Sequence, residues 1–254
     1  MREARVVAAA VQTSMPSKAT WVYCTLGNAY KSLAGYAKAI EYHTQCLAIA
    51  KEVGNQAGEG WAYGNLGCAY ELQGHLAKAI EYHTQCLAIA KEVGDRAGEV
   101  RAYGNLGNVF DSQGGFSKAL TYHTQCLAIA KEVVDRAGEG TASGNLGNAY
   151  WALGACAKAI EYHTQCLAIA KEVGDRAGKG IAYASLGCAY DSQGDHAKAI
   201  HYHTQCLAIA KEVGDRAGEG GAHANLGIAY DSQGGHAKDI KYLLVILLLL
   251  LLLL

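Results

Sequence analysis

The chain has 254 residues, 51% of them apolar, with 31 glycines against a single proline, Pro16. So little proline excludes a Pro-rich disordered linker and argues against a β protein built on Pro turns, leaving helices as the natural reading. Its 22 basic and 23 acidic side chains leave a net charge of −1, too weak a positive field to gather phosphates, so neither nucleic acid nor an anionic lipid surface is an expected partner.

Residues 1–16 are read as an N-terminal extension, whose apolar run from Val6 to Val11 is shorter than a signal-peptide core. From residue 17 the chain repeats itself. The segment His-Thr-Gln-Cys-Leu-Ala-Ile-Ala-Lys-Glu-Val begins at His43, His83, His123, His163 and His203, forty residues apart each time, which marks a stacked repeat array. Each repeat carries two helical patterns. In the third, Tyr103, Leu106, Gly107 and Phe110 fall at i, i+3, i+4 and i+7, one face of a first helix. Beyond the break Gln113-Gly114-Gly115, the residues Ala119, Leu120, His123, Leu127 and Ala130 recur with the spacing of a second helix. Gly94, Gly174 and Gly214 sit where a left-handed C-terminal cap is wanted, and Asp95, Asp175 and Asp215 follow as N-caps of the next helix. In the third repeat Val134 takes the glycine's place, which predicts a tighter or strained junction.

A pattern of aromatic, two residues, Leu-Gly, two residues, aromatic and a later small residue runs through the array. It is met by Tyr23/Leu26-Gly27/Tyr30/Ala39, Tyr63/Leu66-Gly67/Tyr70/Ala79, Tyr103/Leu106-Gly107/Phe110/Ala119 and Tyr183/Leu186-Gly187/Tyr190/Ala199, with Ser143 and His223 in the first position of the fourth and sixth repeats. On these residues the array, residues 17–242, resembles the tetratricopeptide repeat family. The forty-residue period and the Gly-Asp-Arg-Ala-Gly linker look most like the Pins/G-protein-signalling-modulator adaptors and long metazoan arrays. The resemblance implies an all-α fold, a right-handed α-solenoid of about six stacked antiparallel helix pairs, and protein binding rather than catalysis. The family's proline after the second helix is missing, and Lys51 and Lys91 stand in its place; longer helices and the Gly-Asp cap are expected to compensate. Gly107 and Ala119 are expected to let the two helices of a repeat approach closely.

Five of the nine cysteines, Cys46, Cys86, Cys126, Cys166 and Cys206, occupy one repeated position. Equivalent helices of neighbouring repeats lie about 8–10 Å apart or more, beyond the roughly 7 Å Cα separation that a disulfide spans. These thiols are therefore expected to be free, as in a reducing compartment, and the cytoplasm is the expected location. The His–Cys pair at i, i+3, as in His123 and Cys126, offers two good zinc ligands on one helix face. Repeat translation spreads such pairs along a ladder instead of converging four ligands on one point, so packing in the core is the expectation and a Cys/His metal buffer the alternative. There is no Gly-Lys-Ser/Thr phosphate loop, Gly58 to Gly64 has the wrong spacing for a dinucleotide fingerprint, and no third group orients a Cys–His nucleophile. No enzymatic activity, cofactor or small-molecule substrate is expected.

The second helix is nearly copied from repeat to repeat, while the first varies. Position 101 is Arg where the others have Trp21, Trp61, Thr141, Ile181 and Gly221; position 108 is Asn beside Asn28, Cys68, Asn148, Cys188 and Ile228. The family resemblance implies that this helix lines a concave groove, so the variable positions are expected to face a ligand; neutral drift on exposed positions is the alternative. Asn65, Asn105, Asn145 and Asn225 recur at one position, and Asn28, Asn108 and Asn148 three residues further along. An amide both donates and accepts, so such a row suits the backbone of an extended peptide, or else caps and bridges neighbouring helices. Arg101 suits an acidic side chain. These eight residues are the candidate peptide-binding set, and the expected partner is another protein presenting a peptide or a helix. A passive spacer, or a fragment of a larger array, is the alternative.

The carboxyl end departs from the repeat. Asp239 replaces the small residue, and Leu243 to Leu254 is a run of twelve apolar residues. Twelve residues of helix span about 18 Å, short of the roughly 30 Å hydrocarbon core. The tract reads as a truncated membrane anchor, a helix covering the end of the array, or low-complexity translation from a misassigned coding sequence, and a membrane enters only through it.

Overall fold

The computed structural model describes residues 16–234, which form eleven helices and no strand. In chain order these are α1 (Pro16–Ser32), α2 (Tyr36–Glu52), α3 (Gln56–Leu72), α4 (Leu76–Val93), α5 (Arg96–Ser112), α6 (Phe116–Glu132), α7 (Arg136–Ala152), α8 (Cys156–Glu172), α9 (Arg176–Ser192), α10 (His196–Val213) and α11 (Arg216–Ser232). The extension before Pro16, Asp239 and the Leu243–Leu254 tract lie outside the described residues. Two bodies can be distinguished, one ending at Val133 and one beginning at Val134. The first holds α1 to α6 and the second α7 to α11. Within each body the helices pack as consecutive antiparallel pairs, so the fold is the expected all-α solenoid of hairpins.

The start and stop signals work as the residues dictate. Oδ1 of Asp95, Asp135, Asp175 and Asp215 accepts the backbone N–H of Gly98, Gly138, Gly178 and Gly218 at 2.8–2.9 Å, and Asn55 does the same for Gly58 at 3.0 Å. Gly94 and Gly214 close their helices in the left-handed conformation, with φ of 70° and 72°. Val134 is forced into the same region, φ 57°, and its side chain is 75% exposed. A β-branched residue held there costs about 1–2 kcal/mol, and so exposed a side chain contributes little packing in return. Val134→Gly is expected to stabilise the protein by about 1 kcal/mol after the extra backbone entropy of glycine is counted. Thermal unfolding checks it, and an unchanged or lower midpoint would mean that the junction is not strained.

The first, second, third and fifth hairpins are each held by an aromatic triad that the pattern only half reveals, and the fourth, with Ser143 in the first position, by the pair Tyr150 and Tyr162. Tyr70 of α3 stacks on Tyr82 of α4 at 5.3 Å, and Tyr63 leans on the same ring at 6.1 Å. The third ring, Tyr82, is the tyrosine preceding each His-Thr-Gln-Cys segment, and Tyr42, Tyr122, Tyr162 and Tyr202 repeat its role. Lys51 and Lys91, where the family has proline, place their ammonium groups over the next repeat's Tyr63 and Tyr103 at 5.3 and 5.2 Å. A cation–π contact thus binds successive hairpins where a rigid turn was lost.

The histidines explain the Leu-Gly signature more fully than close backbone packing does. His43, His83, His123, His163 and His203 are buried to 2% exposure or less. Each ring lies flat on a first-helix glycine, and a Cβ added at Gly27, Gly67, Gly107, Gly147 or Gly187 would overlap its imidazole. Ala119 is fully buried as expected, but what fills the space above Gly107 is the His123 ring.

One expectation is corrected. Cys46 is not a free thiol: it is bonded to Cys24 across the first hairpin, with Cα atoms 5.7 Å apart. The sequence argument compared only equivalent positions of neighbouring repeats, whereas this bond joins the two helices of one repeat. The remaining four of the repeated set, Cys86, Cys126, Cys166 and Cys206, carry no disulfide.

Candidate functional site: an inner-wall recess

First helices of neighbouring hairpins touch side by side, α1 with α3 and α3 with α5 in the first body, α7 with α9 and α9 with α11 in the second. Among the described residues, second helices of neighbouring hairpins make no comparable approach. The first helices therefore form the inner wall of each body.

Between α3 and α5, over α4, this wall opens into a recess of about 400 Å³, within the range of ligand pockets, about 300–1,000 Å³. It exists because side chains are missing there. Ala57, Gly60 and Gly64 open the side of α3, Gly98 opens α5, and Ile89, Ala90 and Val93 of α4 form an apolar floor. Trp61 and Arg101 stand at its mouth, both mostly exposed. The Arg101 guanidinium lies 5.7 Å over the Trp61 ring and 3.5 Å from Oδ2 of Asp95. Burial pushes the Cys68 and Cys86 thiols in this recess above their ordinary pKa, so neither is a nucleophilic thiolate at neutral pH.

Four of the eight candidate residues meet here: Asn28, Asn65, Arg101 and Asn105 all line the recess. Asn28 carries a buried Oδ1 without a hydrogen-bond partner. Asn105 donates from Nδ2 to Cys68 Sγ at 3.8 Å, so it bridges two first helices and keeps its own oxygen for other use. Asn225 makes the same bridge, to Cys188 at 4.0 Å, and lines the equivalent recess of the second body, about 330 Å³. There Ile181 and Gly221 replace Trp61 and Arg101, which leaves that site without the cation. Asn108 and Asn148 are exposed, Asn145 is half-buried, and none of the three lines either recess. Sequence reasoning missed Asp95 and the Ala57/Gly60/Gly64 stripe as parts of the site. The signal was present: three small residues on one helix face beside an exposed tryptophan.

The repeated His–Cys pairs are used in packing. His123 lies on Gly107 with Nε2 at 2.9 Å from Asp111 Oδ2, while the Cys126 thiol donates to the Val100 carbonyl at 3.3 Å. Among the described residues no group of three His, Cys, Asp or Glu side chains gathers to hold a metal ion. Among the same residues no helix is long and apolar enough to cross a membrane.

These features define a helical-hairpin repeat protein whose first helices build a recessed inner wall. The chain belongs to the tetratricopeptide repeat family, whose model matches residues 18–92, 77–132 and 138–212. Among solved structures it is similar to BtubC (BKLC) from P. vanneervenii, at 22% identity over 84% of this chain and 88% of that one, TM-score 0.72. It is also similar to a putative kinesin light chain with nearly identical TPR-like repeats from Podosopora anserina, at 20% identity over 78% and 97%, TM-score 0.67. A Rap protein complexed with competence and sporulation factor matches at 14% identity over 93% and 77%, TM-score 0.70. At these identities the likeness concerns the fold.

Proposed function

We propose that the protein is an adaptor whose first body holds an extended peptide or a helix of another protein along α1, α3 and α5. The observation that carries this reading is the convergence of Asn28, Asn65, Arg101, Asn105 and Trp61 on one recess of the inner wall. The amides offer donors and acceptors to a peptide main chain, the apolar floor accepts a side chain, and the Arg101 fork offers its remaining donors to an acidic neighbour. A tetratricopeptide relative of this fold, the Rap protein, was solved in complex with competence and sporulation factor, which supports ligand binding by such arrays. Closer kinship to the Pins/G-protein-signalling-modulator adaptors, and residence in the cytoplasm, belong to the same proposal.

Selection of random peptides on the full chain tests it. Selected peptides should lose affinity roughly 30-fold when Asn65 and Asn105 are both changed to alanine, taking about 1 kcal/mol for each hydrogen bond. Circular dichroism should remain unchanged. Failure to enrich any peptide, or binding indifferent to the double substitution, would favour a passive spacer.

A further inference from the structure

We propose that Cys24 and Cys46 form a redox-operated latch that sets how closely α1 lies against α2, and with it the first wall of the groove. Position 24 sets this hairpin apart. Its equivalents are Gly64, Gly104, Gly144, Ala184 and Ala224, while position 46 is cysteine again in the next four repeats. A Cβ built at Gly64, Gly104 or Gly144 would stand 3.4, 3.7 or 3.4 Å from Sγ of Cys86, Cys126 or Cys166. In those hairpins a methyl would just touch the sulfur, and Ala184 and Ala224 carry one in the fifth and sixth, but a further heavy atom beyond that Cβ and aimed at the sulfur would overlap it. The first hairpin places a second sulfur there, which is compatible with the same helix spacing only while the two are bonded. Bonded sulfurs lie about 2 Å apart, whereas non-bonded heavy atoms need about 3.5–4.0 Å.

Reduction therefore drives α1 away from α2. Cys46 is fully buried and Cys24 half-buried, so a low-molecular-weight thiolate such as glutathione attacks Sγ of Cys24. The sulfur–sulfur bond breaks, its electron pair leaves on Cys46 and takes up a proton. A second glutathione then attacks the sulfur of the bound glutathione, releasing the Cys24 thiol and glutathione disulfide; the two electrons come from the two glutathiones. Trp21 and Asn28 lie three residues before and four after Cys24 on the same helix, and Asn28 lines the recess. The effect on the groove rests on the peptide-binding reading above, while the latch itself does not.

The test uses the full chain equilibrated with glutathione disulfide or with excess glutathione. Alkylation and mass spectrometry should find the Cys24–Cys46 pair blocked in the first state and all nine cysteines labelled in the second. Amide exchange across α1 and α2 should accelerate by roughly 100-fold on reduction, with α5 and α6 unchanged. Cys24→Gly, which restores the residue of the sister hairpins, should remove the response to glutathione. Free Cys24 and Cys46 under glutathione disulfide, or equal exchange of α1 and α2 in both states, would overturn the proposal. Neither readout uses a peptide, so a chain that binds none would still reveal the latch, and a failed latch would leave the peptide selection standing.

Discussion

Taking the protein from neutral pH to about pH 4 is expected to remove roughly 3 kcal/mol of stability at each of His43 and His163. Both imidazoles are held down to about 4 from the ordinary 6.5. Burial is the main cause in each, and Lys31 adds repulsion at His43. The sign follows from which state binds the proton first. Below 6.5 the unfolded chain takes it up while the buried ring does not, so stability is complete above that pH and is lost as the pH falls towards 4. His203 is lowered as well, by burial, with Asp191 opposing the shift. The residue at position 31 differs between hairpins: its equivalents are Glu71, Asp111, Trp151 and Asp191. Glu71 lies 3.9 Å from His83 and Asp111 2.9 Å from His123, whereas His43 meets a lysine; the ring nitrogens of both His43 and His83 have no hydrogen-bond partner. Lys31→Glu gives the first hairpin the carboxylate of its neighbours and should move the acid-unfolding midpoint downward. Urea titrations at several pH values between 7 and 4 measure both effects; a stability flat across that window would refute the burial of neutral imidazoles.

Gly107→Ala is expected to destabilise the protein by about 2 kcal/mol, although alanine in a helix interior ordinarily gains about 0.8–1 kcal/mol over glycine. The added methyl would overlap the His123 ring, and overpacking of this kind costs about 1–3 kcal/mol or more. The ring has little freedom to yield, because its Nε2 is engaged with Asp111 and the residue is fully buried. Gly104→Ala, one turn earlier, supplies the contrast: its Cβ would stand 3.7 Å from Cys126 Sγ, an ordinary contact, so it should be neutral or slightly stabilising. Denaturant melts of the two variants and of Gly107→Ala/His123→Ala separate the effects. If Gly107→Ala were as stable as Gly104→Ala, or if removing the ring did not relieve the loss, the histidine would not be what requires the glycine.

Most of the fold was legible because its information is local and repeated. The helix pair, the Gly94–Asp95 cap, the strain at Val134 and the Tyr/Leu-Gly/Tyr face each depend on residues within one turn or one hairpin, and repetition at forty residues makes them visible. Half of the candidate site was legible for a similar reason. Asn28, Asn65, Arg101 and Asn105 share a helix face with the positions that vary. Asn108 and Asn148 share that face too, yet line neither recess, because a recess also needs the small residues that hollow out the neighbouring helix.

By itself the sequence determined the order of the described helices, their caps, and which side of each first helix is free of the copied core. Only the tertiary structure decided that Cys24 meets Cys46, that Gly107 makes room for an imidazole, and that Arg101 of one repeat covers Trp61 of the one before. Those are contacts between side chains on different helices. Their distances follow from how two cylinders settle against each other to within an ångström, and periodicity along one helix does not contain that quantity.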